Sequence, residues 1–196
     1  MSTTRPEYLV RTTEVPFESL RHLMHPMDNT NQRYTVSLGD SVGLTKLGIH
    51  FCRLPPGATS STLHYHTNDD EFYYIIDAGG DDAVLLVWER PAAEGDNGDK
   101  GQGAVQEKKV PREENIKTGD FLGFKGGDKG AHAHALRAGA KEVVYIVGGS
   151  RLPMDNSVYP LLGRRVLTDR SQGGLLTWSV EEENLTPVHI PPPTVV

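Results

Sequence analysis

The 196-residue sequence has one cysteine, few aromatic residues and no long hydrophobic run. Because the single cysteine, Cys52, cannot form an internal disulfide, the fold must be held by a buried core. The apolar segments are too short, and too often interrupted by charged residues, to span a bilayer. Residues 1–15 lack the apolar stretch of a signal peptide. We therefore expect a cytoplasmic protein with no membrane partner.

An excess of positive charge is also missing. The formal net charge is −6, so the composition gives no sign of a nucleic-acid partner. The chain is 37% hydrophobic, which is enough for one substantial core, and its 21 glycines and 13 prolines separate short apolar runs. This composition favours many strands and turns over long helices. We predict an all-β fold.

Both ends of the chain differ from its middle. Residues 1–33 are predicted to form an N-terminal arm with a short helix, because the apolar residues of 16–24 recur at helical spacing. Residues 149–196 contain short candidate strands between prolines. We expect this C-terminal extension to pack on the rest of the protein or on a partner subunit, as in a homodimer.

Residues 34–148 carry the strand patterns of a barrel. Residues 44–54 alternate apolar and polar side chains, which indicates a half-buried strand. On that strand His50 and Cys52 share a face, and they either line a barrel interior or are simply packed there. Residues 83–89 are a continuous apolar run, predicted to be a strand buried on both sides.

A polar insertion follows that apolar run. Residues 90–115 are glycine-rich and charged, and we interpret them as a solvent-exposed insertion with a hairpin around residues 104–110. A long polar loop of this kind can be an active-site lid or tolerated extra length. The sequence leaves both readings open.

The most informative stretch is 57–79. His64 and His66 lie two residues apart, so on a strand their imidazoles project to the same face. Residues 67–70 have turn chemistry and can reverse the chain, which brings Glu71 beside the two histidines. Two neutral imidazoles and one carboxylate are a ligand set for a divalent transition metal.

A second His-x-His pair, His132 and His134, lies on another predicted strand. A metal site needs three or four ligands that converge on one point. In a closed barrel this strand can lie beside the first stretch and supply the fourth ligand. Closure also removes exposed sheet edges and leaves an interior in which a small ligand fits.

Two motifs resemble those of the cupin superfamily, in particular small single-domain cupins. The first is Gly57-x6-His64-x-His66-x4-Glu71-x7-Gly79, with spacings at its two ends one residue longer than usual. The second departs further from the family pattern, and its matching residues are Gly119, Asp120, Gly127 and His134. In this second motif Lys125 replaces the usual proline and Ala138 the usual asparagine. The resemblance covers residues 35–148.

The resemblance implies a double-stranded β-helix, the cupin or jelly-roll barrel, with the short N-terminal helix and extended termini outside it. It implies a bound Fe, Mn, Ni, Zn or Cu ion, with His64, His66, Glu71 and His134 as ligands. In this alignment His132 lies nearby, and it could replace His134 as the ligand or act as a base. Tyr73 shares strand parity with Glu71, so it is the second candidate catalytic residue, although plain packing would place it equally well.

Three functions remain open at this stage, because one fold carries many chemistries. We expect first a metal-dependent oxygenase acting on a small organic substrate. The second hypothesis is a metal-dependent isomerase, lyase or decarboxylase that uses Lewis-acid and general-base chemistry. The third is a ligand-binding or interaction module in which the metal is structural.

Overall fold

The structure is a computed structural model, and it describes residues 6–89, 110–127 and 131–186. Almost all of its regular structure is β, which confirms the expected all-β class. In chain order the strands are β1 (Arg21–His25), β2 (Asp28–Ser37), β3 (Leu47–Leu54), β4 (Tyr65–His66), β5 (Glu71–Asp77), β6 (Val84–Glu89), β7 (Arg112–Asn115), β8 (Phe121–Phe124), β9 (His132–Arg137), β10 (Val143–Ser150), β11 (Met154–Tyr159), β12 (Arg164–Asp169) and β13 (Leu176–Glu181).

The helical elements are all short. Among the described residues they are one α-helical turn, α1 (Leu38–Ser41), and three 3-10 helices, Thr12–Glu14, Phe17–Ser19 and Glu182–Asn184. In α1 the Ser37 side chain accepts a hydrogen bond from the Asp40 amide, as an N-cap does. Within the described ranges, no helix has the length and apolarity needed to cross a membrane.

The strands that the structure describes form three sheets. The largest has six strands in the order β1-β2-β3-β10-β5-β8, the second has four in the order β13-β12-β11-β4, and the third has three in the order β7-β6-β9. Every described pairing is antiparallel. Neighbours in a sheet come from distant parts of the chain, as in β3-β10-β5, so the architecture depends on long-range pairing.

The core lies between the sheets and is formed by side chains from all parts of the barrel. Its largest fully enclosed apolar side chains are Tyr145, Leu54, Ile75, Ile116, Leu136, Val143 and Cys52. Burial of one side chain of this kind contributes about 1.5–3 kcal/mol. Residues 83–89 were predicted to be a strand buried on both sides, and residues 84–89 form β6. Trp88, near the end of this strand, is only 8% exposed.

The N-terminal region differs from the expected helix. Within residues 16–24, where the helix was expected, only Phe17–Ser19 is helical, as a single 3-10 turn, and Arg21–His25 is strand β1. β1 pairs antiparallel with β2, which begins at Asp28 rather than near residue 34. The apolar spacing in 16–24 fits a helix, but pairing with β2 satisfies the backbone and decides the structure. The sequence of β1 does not alternate apolar and polar residues as a half-buried strand usually does, because the apolar Met24 is 48% exposed.

The regions after β6 and β10 also extend the sheets. Residues 90–109 lie outside the described part of the chain, and with them nearly all of the predicted hairpin at 104–110. Arg112–Asn115, which we assigned to the insertion, is strand β7 and pairs with β6. In the C-terminal extension β11 pairs with β4 next to the first His-x-His stretch, with Ser157 opposite His66.

Candidate metal centre

The predicted ligands come from three different sheets. His66 ends β4 in the four-stranded sheet, Glu71 begins β5 in the six-stranded sheet, and His134 lies in β9 of the three-stranded sheet. His64 forms an isolated bridge with His134, whose amide donates to the carbonyl oxygen of His64 at 3.0 Å. The site therefore lies where the three sheets meet.

The ligand atoms of this cluster lie close together. One ligand atom from each of His64, His66 and Glu71 lies within 4.8 Å of the other two. Nε2 of His66 is 4.0 Å from Oε2 of Glu71, and Nε2 of His134 is 2.7 Å from the same oxygen. The structure thus brings the four predicted ligands into one cluster, in which Glu71 contacts His134 directly.

Each imidazole is held through its Nδ1 atom. Nδ1 of His64 lies 2.9 Å from the carbonyl oxygen of Thr62, and Nδ1 of His134 lies 2.8 Å from that of His132. Nδ1 of His66 lies 2.6 Å from Oδ2 of Asp155. Because these partners accept hydrogen bonds, they favour hydrogen on Nδ1, which leaves Nε2 of His64 available as a ligand atom. Nε2 of His134 faces Oε2 of Glu71 and would bind an ion only after releasing the proton that it shares with this carboxylate.

Burial and neighbouring charges set the protonation states. Burial, with the nearby His66 adding to it, lowers the pKa of His64 to about 3, so its imidazole is neutral. Burial opposes ionisation of Glu71, but the hydrogen bond from His134 and the other histidines hold its pKa at about 2. Neutral imidazole and ionised carboxylate are the forms that bind metals.

His66 is the exception among the ligands. Burial lowers its pKa, but the hydrogen bond to Asp155 and the charge of Glu71 outweigh burial and raise it. The pKa of Asp155 is lowered because its hydrogen bond with His66 outweighs the cost of burial. Binding of an ion at Nε2 would therefore require release of a proton from His66, with Asp155 still orienting the ring.

A second group of possible ligands supports the first rather than duplicating it. His66, Asp69 and Asp155 are close enough to hold an ion. The carboxylate oxygens of this group already have partners, however. Asp69 forms an ion pair with Arg170 at 2.9 Å, and Asp155 accepts hydrogen bonds from the backbone amides of Asn68 and Asp69. The carboxylates of this group orient His66. By donor chemistry the His64, His66, Glu71 and His134 set fits a divalent transition metal.

The two predicted catalytic residues have different placements. Tyr73 is 4% exposed, and its hydroxyl donates a hydrogen bond to Oε2 of Glu71 at 3.4 Å. Burial and the charge of Glu71 raise the pKa of Tyr73 well above 10, so its phenol stays protonated. The His132 side chain is 48% exposed and lies 3.8 Å from Glu89. His132 is thus directed away from the site, although its carbonyl oxygen holds His134.

A cavity of about 430 Å³ opens beside the cluster. His64, His66, Glu71 and Tyr73 lie in its wall together with His50, which the sequence had left as either a cavity or a packing residue. Burial lowers the pKa of His50, and Arg33 and Arg151 lower it further. Its ring makes no hydrogen bond with any residue that the structure describes. The cavity wall therefore contains a neutral imidazole with no protein partner.

Three more residues of the site were missed from the sequence. Asp155 and Tyr159 lie on β11, and the Tyr159 ring stacks on His64 with centroids 5.2 Å apart. Arg33 reaches the cavity wall from β2. All three fall outside the two motifs, in segments whose pattern gave no clear strand. One sequence signal could have pointed to Asp155: it lies two positions from Ser157, so on a strand the two polar side chains share a face.

The fold matches solved structures, whereas no family model and no curated protein sequence matches the chain. A putative sugar phosphate isomerase from Acidithiobacillus ferrooxidans aligns over 94% of this chain and 98% of its own, with 23% identity and a TM-score of 0.71. A sugar phosphate isomerase of the cupin superfamily from Silicibacter pomeroyi aligns over 90% and 96%, with 21% identity and a TM-score of 0.60.

Strands of three antiparallel sheets around a histidine-lined cavity define a jelly-roll barrel with a candidate metal centre. Together with the two structural matches, they show that the chain has the cupin fold. The resemblance found in the two sequence motifs is therefore confirmed at the level of the fold.

Proposed function

We propose that this protein is a metal-dependent isomerase that acts on a small, polar hydroxy-carbonyl compound. The observation that carries the proposal is His50, a neutral imidazole without a protein partner, in the same cavity as the ligand cluster. An aldose–ketose type of isomerisation needs such a base, which removes a proton from one carbon and returns it to the next.

The four clustered side chains would hold the ion through three imidazoles and one carboxylate. When bound, a divalent ion supplies Lewis-acid polarisation of a carbonyl or hydroxyl oxygen. Two contacts fix ring planes in this set: Asp155 orients His66, and the Phe124 ring stacks on His134 with centroids 3.5 Å apart. Rigid supports of this kind preserve ligand geometry during turnover.

His50 would then carry the proton. Its imidazole takes the proton from the hydroxyl-bearing carbon next to the carbonyl. The electron pair of that C–H bond becomes a C=C bond and the carbonyl π electrons move to oxygen, which gives an enediolate. That oxygen takes the proton of the neighbouring hydroxyl, and His50 returns its proton to the former carbonyl carbon as the new C=O bond forms, so no external oxidant or reductant is needed. Tyr73 remains protonated and holds Glu71, which keeps the carboxylate oriented rather than transferring the proton itself.

Hydrogen-bonding groups in the cavity wall and the structural neighbours favour an isomerase over the oxygenase that we expected first. The cavity wall includes several hydrogen-bonding groups, among them Tyr145, Ser61 and Tyr159. These groups can hold the hydroxyls of a substrate in a fixed orientation. Both structural matches are described as sugar phosphate isomerases, one of them as putative. At their low identity to this chain, these descriptions favour the hypothesis only by analogy.

The test is a hydrogen-exchange assay on metal-loaded protein. We would load it separately with Mn, Fe(II), Ni or Zn and incubate it in D2O with aldoses, ketoses and their phosphates. Proton NMR would follow deuterium at the carbon next to the carbonyl, while an electrode follows O2. Metal-dependent exchange without O2 uptake supports the proposal. Substrate-dependent O2 consumption without exchange would replace it by the oxygenase.

Two variants make this test specific. His50→Gln should retain the metal and lose about 10²- to 10⁴-fold in exchange rate, the usual effect of a general base. His64→Ala should lose the metal by elemental analysis. The matched control is His22→Gln, a change at an exposed histidine of β1 whose ring bonds Gln32. Equal exchange rates in His50→Gln and His22→Gln would exclude His50 as the base.

A further inference from the structure

Arg33 is a cationic side chain of the cavity wall that lies outside both motifs. Arg33 lies on β2, opposite Leu23 of β1. It shares a strand face with Thr35, which is buried and contacts the thiol of Cys52 at 3.3 Å. Strand parity therefore directs Arg33 toward the barrel interior, where it lines the same cavity as Glu71.

Arg33 is not neutralised by a carboxylate. Its Nη1 donates to the carbonyl oxygen of Ser60 at 2.6 Å, and its buried Nε–H has no hydrogen-bond partner. In the described part of the chain, no acidic side chain lies within ion-pair distance of it. The other two guanidinium groups in the cavity wall are paired, Arg151 with Asp40 and Arg170 with Asp69.

Two tyrosines and a thiol around Arg33 are neutral. Burial raises the pKa values of Tyr73 and Tyr145 well above 10, and burial also raises that of the Cys52 thiol. Glu71 carries a negative charge, but it is engaged by His134 and belongs to the ligand set. A buried charge without a paired partner is costly, so such an arrangement points to a ligand that completes it.

We propose that Arg33 is the centre of an oxyanion subsite that binds the phosphate or carboxylate group of the substrate. Guanidinium is suited to this role because its N–H groups form two parallel hydrogen bonds to such an anion. Three neutral imidazoles and one carboxylate leave a divalent ion with one net positive charge, and Arg33 adds another. The cavity thus favours an anionic substrate.

The subsite would also orient the substrate. With its anionic group on Arg33, a small molecule extends across the cavity toward the ligand cluster and past His50, since all of these groups line the same 430 Å³ space. Which end of the molecule reacts rests on the function proposed above. The affinity of the subsite for an oxyanion does not depend on that function, and it can be measured separately.

The first experiment measures anion binding by isothermal titration calorimetry on the metal-loaded protein. Inorganic phosphate and acetate are the two probes, which distinguish a phosphate from a carboxylate subsite. Arg33→Gln should weaken binding of the preferred anion about tenfold or more, as expected for loss of a charged hydrogen-bond partner. Arg33→Lys keeps the charge but loses the paired geometry, so its effect should be intermediate.

The matched control is Arg151→Gln. Arg151 lines the same cavity, but its guanidinium is already paired with Asp40. Its removal should weaken anion binding much less than Arg33→Gln does. Equal losses in the two variants, or unchanged binding in Arg33→Gln, would overturn the subsite. If thermal unfolding shows that Arg33→Gln does not fold, Arg33→Lys is compared with Arg151→Gln instead. A larger loss of anion binding in Arg33→Lys supports the subsite, and an equal or smaller loss overturns it.

The second experiment separates the subsite from the proposed reaction. Where exchange activity is found, Arg33→Gln should raise KM for a phosphorylated or acidic sugar and leave KM for the neutral sugar unchanged. If the variant is active and KM changes equally for the charged and the neutral sugar, the subsite is rejected and the isomerase is retained. Lost anion binding in Arg33→Gln, without turnover of any hydroxy-carbonyl compound by wild type, would retain the subsite and reject the isomerase.

Discussion

Nδ1 of His66 lies 2.6 Å from Oδ2 of Asp155, although the two residues are 89 positions apart in the chain. His66 belongs to the sequence motif, whereas Asp155 belongs to the C-terminal extension. The pairing of β11 with β4 brings them together, because Ser157 lies opposite His66. The C-terminal extension is therefore part of the candidate metal centre and not an appendage of the barrel.

The first prediction concerns this contact. Asp155→Asn should weaken metal binding about 10- to 100-fold, because loss of the carboxylate removes the group that fixes the tautomer and plane of His66. Competition with a chromogenic chelator would measure the affinity. The control is Asp169→Asn on β12, where the carboxylate accepts hydrogen bonds from Ser171 outside the cluster. Equal metal affinities in the two variants would contradict a role for Asp155 at the metal.

The second prediction concerns the pH dependence of His50. Burial, Arg33 and Arg151 lower its pKa below 6.5, whereas Asp40 raises it. A histidine with a lowered pKa stays neutral, and able to accept a proton, as pH falls through 6.5. As pH is lowered, kcat/KM should therefore begin to fall only below pH 6.5; we call this fall the acid limb. A pH profile of the exchange rate measures it.

A variant tests the cause of this shift. In Arg151→Gln a cation that lowers the pKa of His50 is gone, and the carboxylate of Asp40 loses its partner. Both changes raise the pKa of His50, so the acid limb should move to higher pH. In the wild type, hydrogen bonds from Arg151 and Ser37 hold the pKa of Asp40 at about 2. Loss of Arg151 returns this pKa toward the ordinary value of an aspartate, about 3.9, so Asp40 stays ionised near pH 6 in the variant as well. A limb that moves to lower pH would refute this assignment.

The third prediction compares the two glycines that bound the first motif. Both have positive φ, 70° at Gly57 and 73° at Gly79. A Cβ at Gly57 would have nothing within 4 Å, whereas at Gly79 it would collide with the carbonyl oxygen of Glu142. Gly57→Ala should cost about 1–2 kcal/mol from backbone conformation alone, and Gly79→Ala should cost more. Urea unfolding would compare them, and a larger cost at Gly57 would disprove the steric argument.

Local patterns were sufficient for much of the site. The spacing of His64, His66 and Glu71 depends on strand parity and one turn, and the structure places these side chains together. The buried run 83–89 was recognisable because both of its faces are apolar. In each case the information lies within a few residues of sequence, where side-chain direction is fixed by backbone geometry.

Features that depend on a distant partner were not predictable in this way. In residues 16–24 the apolar spacing favours a helix, whereas the structure has a strand paired with β2. No feature within the segment itself indicates that the strand is favoured. Arg33 was assigned to an arm because the start of β2, residues 28–33, is polar. Asp155 lies in a segment between prolines whose place in the fold depends on its pairing with β4.

The meeting of three sheets at the ligand cluster has a consequence for stability. An ion bound by His66, Glu71 and His134 would join the four-, six- and three-stranded sheets at one point, so separation of any sheet from the others breaks a metal–ligand bond. Binding to the folded state alone stabilises it by about 2.7 kcal/mol at a ligand concentration 100 times Kd. Unfolding of the barrel and release of the ion would then be a single cooperative event, with a melting temperature that rises with metal concentration.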